Sequence, residues 1–110
     1  MQFVRAAFKS GFALLLDSLP KVPVILASLT PIDFSGSDGK TMDPEKARSV
    51  DSFIRSTAGD RHVPLIDLGK LAPFQTLDGV HLTTDSYALW NAAVLDGIKR
   101  ALPSCKIMAE

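Results

Sequence analysis

The chain has 110 residues, 46% hydrophobic and 22% charged, with twelve Lys and Arg balancing twelve Asp and Glu. That length allows one small domain with a limited core, and that composition is the ordinary globular one. Zero net charge leaves no field to favour nucleic acid or an anionic membrane, and a lone cysteine, Cys105, excludes an intrachain disulfide and a paired-cysteine metal site.

Phe8, Phe12, Leu15 and Leu19 recur at three- and four-residue spacing, which predicts an amphipathic helix from about Gln2 to Leu19. Arg5 and Lys9 ahead of the apolar run Phe12–Leu16 have some likeness to a secretory leader. The run is short, however, and Asp17 stops it without a small-residue cleavage site, so a helix of the fold is the better reading. No stretch approaches the length of a membrane span, and a cytoplasmic location is expected.

Pro20 and Pro23 flank the end of that helix, since proline is poorly tolerated inside one. Val22 to Leu29 is then a nearly unbroken apolar run, as in a buried parallel strand. Pro31, Gly36, Ser37, Asp38 and Gly39 mark Thr30 to Met42 as a loop. Asp43-Pro44-Glu45 has the chemistry of a helix start: a capping acid, proline at the first position, an acid in the first turn. Ala47, Val50, Ile54 and Ala58 predict the buried stripe of that helix, and Gly59 its stop.

His62 to Leu68 is a second apolar strand, and a loop with Gly69, Pro73 and Gly79 follows. Thr83 is the expected cap of a last helix with Asp85 in its first turn. Tyr87, Trp90, Val94, Ile98 and Ala101 or Leu102 trace its apolar face, and Pro103 ends it. The order helix, strand, helix, strand, helix predicts an α/β layer fold with parallel strands and a right-handed crossover. Two strands leave an open, apolar edge, which invites pairing with another chain.

Sites in such folds lie beyond the carboxyl ends of the strands, and the loop after Leu68 carries Leu77-Asp78-Gly79-Val80-His81-Leu82. A carboxylate in a tight turn can hold an imidazole in the tautomer that accepts a proton from a serine. Asp-Gly is equally an ordinary turn pair, and a histidine ahead of a helix is commonly just exposed. The residues alone leave both readings open.

The block Leu77 to Thr83, followed by Tyr87-Ala88 and an amphipathic helix, resembles the last motif of the SGNH (GDSL-type) hydrolases, with Ser86 where that family usually has glycine before the tyrosine. The run Val22 to Pro31, the helix through Val50 and Ile54, and the run Val63 to Leu68 are similar to the elements preceding that motif. The resemblance implies a partial flavodoxin-like, three-layer α/β/α fold, with residues 1–103 as the C-terminal portion of an esterase domain and 104–110 as a loose tail. It implies His81 as general base and Asp78 as its orienting acid, a small ester as substrate, and no metal or cofactor.

The family's Gly-Asp-Ser nucleophile motif and its oxyanion Gly-x-Asn motif have no counterpart here. Asn91, the one asparagine, follows the histidine inside the last helix. Asp17-Ser18-Leu19 is a decoy: Leu16 stands where glycine is required, and Ser18 ends a helix, where local backbone hydrogen bonding is its expected role. His62 is expected to be an exposed residue at the start of a strand, Asp67 to cap its following loop, and Tyr87 and Trp90 to pack in the core. The chain is therefore expected to be inactive alone and to need a complementing N-terminal half or self-association. The alternative is a non-catalytic remnant that acts as an interaction module.

Overall fold

The computed structural model describes residues 2–19 and 21–102. The expected tail, 104–110, and Cys105 lie outside the described residues. In chain order the elements are α1 (Gln2–Ser18), β1 (Leu26–Ala27), α2 (Pro44–Asp60), β2 (Leu65–Ile66) and α3 (Thr84–Ala101). The strands are parallel, with Leu26 opposite Leu65 and Ala27 opposite Ile66. The fold is thus α-β-α-β-α with helices flanking a parallel pair, part of a three-layer α/β/α architecture.

The strands are shorter than their apolar runs. Leu26 N donates to Pro64 O at 2.9 Å and Ser28 N to Ile66 O at 3.0 Å, and the next link between the two segments is through a side chain, Gly69 N donating to Ser28 Oγ at 3.1 Å. Among the described residues each strand has a single neighbour, so one edge of each is unpaired. The layer is thin: the molecule measures 42 × 39 × 18 Å and its radius of gyration is 15.4 Å, against about 13 Å for a compact chain near this length. Among the described residues, Ile54, Ala58, Leu68 and Leu82 are the buried apolar side chains.

The start of α2 follows its sequence signals. Asp43 caps it, accepting from Glu45 N at 2.9 Å and Lys46 N at 3.5 Å, and Ile54 and Ala58 are buried as the stripe predicted. Its end does not. The helix runs through Gly59 to Asp60, and the left-handed residue that closes it is His62, φ 55°. Val63 N reaches back to Ala58 O and His62 N to Gly59 O, the paired bonds of a Schellman ending. His62 is exposed, as expected, but it terminates the helix instead of opening the strand.

The predicted face of α1 needs correcting as well. Phe8 and Phe12 do pack edge-on against Phe53 of α2, with ring centroids 5.6 Å apart in both pairs. Leu15 and Leu19 are exposed, while Ala13 and Leu16 are half-buried. The stripe therefore turns toward α2, the element α1 packs on.

On α3, Thr83 caps the first turn, and Trp90, Val94 and Ile98 are half-buried. Tyr87 is exposed and not in the core, leaning edge-on against Trp90. No helix among the described residues is long and apolar enough to cross a membrane.

Candidate active site

The segment after β2 returns on itself as a small hairpin whose tip is Asp78-Gly79. Thr76 and Leu82 form an antiparallel bridge, and Leu77 N donates to His81 O at 2.8 Å. Gly79 sits at φ 97°, a conformation that a side chain disfavours, and its N–H is taken by Thr76 Oγ1 at 2.9 Å. The base of the hairpin is anchored by Thr83 N to Gln75 O at 3.0 Å, and by Gln75 N to Ser86 Oγ at 2.7 Å. Ser86, the departure from the usual glycine, is buried in this role, with 3% exposure.

Within the turn Asp78 uses both carboxylate oxygens. Oδ1 accepts from Val80 N at 2.9 Å and His81 N at 2.8 Å, and Oδ2 lies 2.6 Å from His81 Nδ1. The two backbone donors, followed by the ring, hold the Asp78 carboxyl well below the usual carboxylate range. An ionised carboxylate has no proton to give, so His81 Nδ1–H is the donor and Nε2, without a hydrogen-bond partner among the described residues, is the basic nitrogen. The same carboxylate raises the imidazole above its ordinary value near 6.5, with a further contribution from the charge of Asp38. The His81 side chain is 63% exposed and that of Asp78 21%.

Nothing in the sequence marks Asp38 as more than a loop residue. The fold brings it to the site: a carboxylate oxygen each from Asp38 and Asp78 and a ring nitrogen of His81 lie within 4.8 Å of one another. The group is at the surface, and hydrogen bonding to the protein accounts for the Asp78–His81 part of it. Beside the hairpin an open groove of about 580 Å³ is lined by Ile32, Asp33, Phe34, Phe74, Gln75 and Thr76. Three residues of the Thr30–Met42 loop, Ile32, Asp33 and Phe34, thus line a groove next to the turn. A wider groove of about 700 Å³ lies away from it, between β2 and α3.

The other candidates are placed elsewhere. Ser18 Oγ donates to Leu15 O at 2.9 Å on α1, the local bond expected of it. Asp67 does not cap the turn after β2 with its side chain. It receives Arg55 through two bonds, Nη1 to Oδ2 at 3.1 Å and Nη2 to Oδ1 at 2.8 Å, and Ser28 Oγ at 3.2 Å. Arg55 also bonds Asp51 at 2.7 Å, whose other oxygen accepts Leu29 N at 2.9 Å. This network ties the carboxyl ends of both strands to α2. No local pattern exposes it in sequence, because its members come from three separate segments. Trp90 is half-buried but has a polar partner, donating from Nε1 to Thr30 Oγ1 at 3.0 Å.

No protein-family model matches the chain, and no curated protein matches it. Among solved structures, it is similar to a GDSL-like lipase from Bacteroides thetaiotaomicron VPI-5482, at 30% identity and a TM-score of 0.58. The match covers 74% of this chain and 45% of the lipase, so the chain spans less than half of that protein's length. The likeness supports a general relationship to the SGNH/GDSL-type esterase fold.

Proposed function

We propose that this chain, through residue 103, is the C-terminal portion of an SGNH/GDSL-type serine esterase and carries the base and orienting acid of its triad. The observation that carries the reading is the 2.6 Å contact between His81 Nδ1 and Asp78 Oδ2, on a ring whose other nitrogen has no hydrogen-bond partner among the described residues. In the complete site, His81 Nε2 takes the proton of a serine hydroxyl as its oxygen attacks the ester carbonyl. The imidazolium is held by Asp78 and returns that proton to the departing alcohol. Water then attacks the acyl-serine, with His81 taking a proton from the water and passing it to the serine oxygen as the acid is released. The serine and the oxyanion donors come from a complementing segment, and the groove along Ile32, Phe34 and Phe74 is suited to an apolar part of the ester.

The chain alone is expected to leave a short-chain nitrophenyl ester essentially unhydrolysed. A chimera in which residues 21–102 replace the corresponding part of the Bacteroides lipase tests the role of the pair. Hydrolysis that disappears on His81→Ala and drops sharply on Asp78→Asn is expected. A folded, active chimera indifferent to His81→Ala would exclude the reading.

A second reading, a non-catalytic module that pairs with another chain, is favoured by the exposed Leu14 (70%), Leu15 (55%) and Val22 (53%) and by the unpaired strand edges. It predicts a stable dimer in light scattering and no labelling by a serine-reactive phosphonate.

A further inference from the structure

The Asp78–Gly79 turn is gripped from outside its own hairpin. Asp33 N donates to Gly79 O at 2.8 Å, and Asp38 N and Gly39 N both donate to Asp78 O, at 2.8 and 3.0 Å. Both lone pairs of the Asp78 carbonyl are thereby engaged. The approach is backbone against backbone. A Cβ on Gly36 would stand 2.5 Å from the Asp78 carbonyl carbon and oxygen and from Gly79 N. One on Gly39 would overlap the Asp33 carbonyl oxygen and come within 3.3 Å of Gly79 Cα. None of these obstacles is the end of a flexible side chain, so no rotamer change makes room. Gly39 and Gly79 are buried in a region whose neighbours Asp38 and Lys40 are exposed.

We infer that the Asp33–Gly39 loop is a clamp that positions the Asp78–His81 pair, with Gly36 and Gly39 as the positioning residues that admit it. The inference rests on the proposed catalytic role of that pair. Its physical basis is that Asp78 must present Oδ1 to two amides and Oδ2 to the ring at once, so moving its carbonyl misdirects its carboxylate. The hairpin's own bonds shape the turn, but they do not hold its tip against the rest of the fold, and an acid-base pair works only in a narrow geometry. The same loop delivers the Asp38 carboxylate to the cluster.

The test is histidine nitrogen NMR on the full chain, which contains just two histidines, His62 and His81. In the wild type, the neutral His81 ring is expected to carry its proton on Nδ1 and to titrate above the ordinary histidine value. Gly36→Ala and Gly39→Ala should shift the ring toward the Nε2–H tautomer and its titration downward, while the amide signals of β1 and β2 stay in place. A wild-type-like ring in a folded Gly36→Ala variant overturns the clamp but leaves the catalytic reading standing. A wild-type ring without the Nδ1–H bias overturns both.

If the variants fail to fold, amide exchange in the wild type decides. The Asp33, Asp38 and Gly39 amides are expected to exchange about ten-fold or more slowly relative to the Ser37 amide in the same loop. Equal rates remove the clamp.

Discussion

Arg55 grips Asp67 with two parallel hydrogen bonds of 3.1 and 2.8 Å, so the residue just after β2 is tied to the middle of α2. The fork also reaches Asp51, and through its second oxygen the Leu29 amide beyond β1. A planar guanidinium can satisfy two carboxylates in this way and an ammonium cannot. Both Arg55 and Asp67 are partly exposed, so solvent screening moderates the gain. Arg55→Lys is expected to cost about 1 kcal/mol in urea unfolding, and Asp67→Ala about 1–2 kcal/mol, because it frees a cation and Ser28 together. An unchanged midpoint in both variants would show the network to be incidental.

Acid should weaken the same contact. The Asp67 carboxyl is lowered from 3.8 chiefly by its hydrogen bonds from Arg55. A depressed folded value contributes stability above the unfolded value that is lost as pH falls through the folded one. Asp67→Asn should therefore flatten the stability profile below about pH 4. A variant whose acid limb matches the wild type contradicts this.

The His81 imidazole shifts in the opposite sense. Raised above 6.5 by its bond to Asp78, it contributes stability fully below its unfolded value, and loses it as pH rises through the folded one. Its function runs the other way, since only the neutral ring accepts a proton. Hydrolysis by an assembled enzyme should accordingly rise as pH passes the raised value. Asp78→Asn should lower the titration midpoint toward 6.5, and Asp38→Asn should lower it by less. Proton NMR of the ring reads both shifts, and equal effects of the two variants would refute the order of the causes.

Ser86→Ala removes the acceptor of the Gln75 amide from a buried position at the base of the hairpin. Leaving that donor unpaired should cost about 1–3 kcal/mol. The loss should be visible in thermal unfolding, and the Gln75 amide should exchange faster. Protection of that amide in the variant would show that another acceptor replaces the hydroxyl.

Leu82→Ala truncates one of the few buried apolar side chains, where the hairpin meets α3. A buried leucine typically contributes about 2–5 kcal/mol over alanine, a large part of the stability of a small domain. The variant is expected to be largely unfolded by far-ultraviolet circular dichroism at 25 °C, and a cooperative, wild-type-like melt would contradict the account of the core.

Element order, the cap at Asp43, the stripe through Ile54 and Ala58, the cap at Thr83 and the Asp78–His81 pair are all legible in the amino-acid sequence. Each depends on residues within a turn or two of one another, where spacing and local hydrogen bonding decide the outcome. The burial of Leu16 over Leu15, the exposure of Tyr87, His62 as a helix terminator, and the Arg55–Asp67 tie were not legible. The first two depend on which surface another element covers and the last on partners from distant segments, while His62 ends α2 through local bonds that a non-glycine residue does not announce. The same division runs through the site itself. Local chemistry places the carboxylate beside the imidazole, because Asp78 can reach His81 through its own turn. Only the tertiary structure brings Asp33, Gly36, Asp38 and Gly39 over that turn, because long-range backbone contact leaves no periodic mark on the chain.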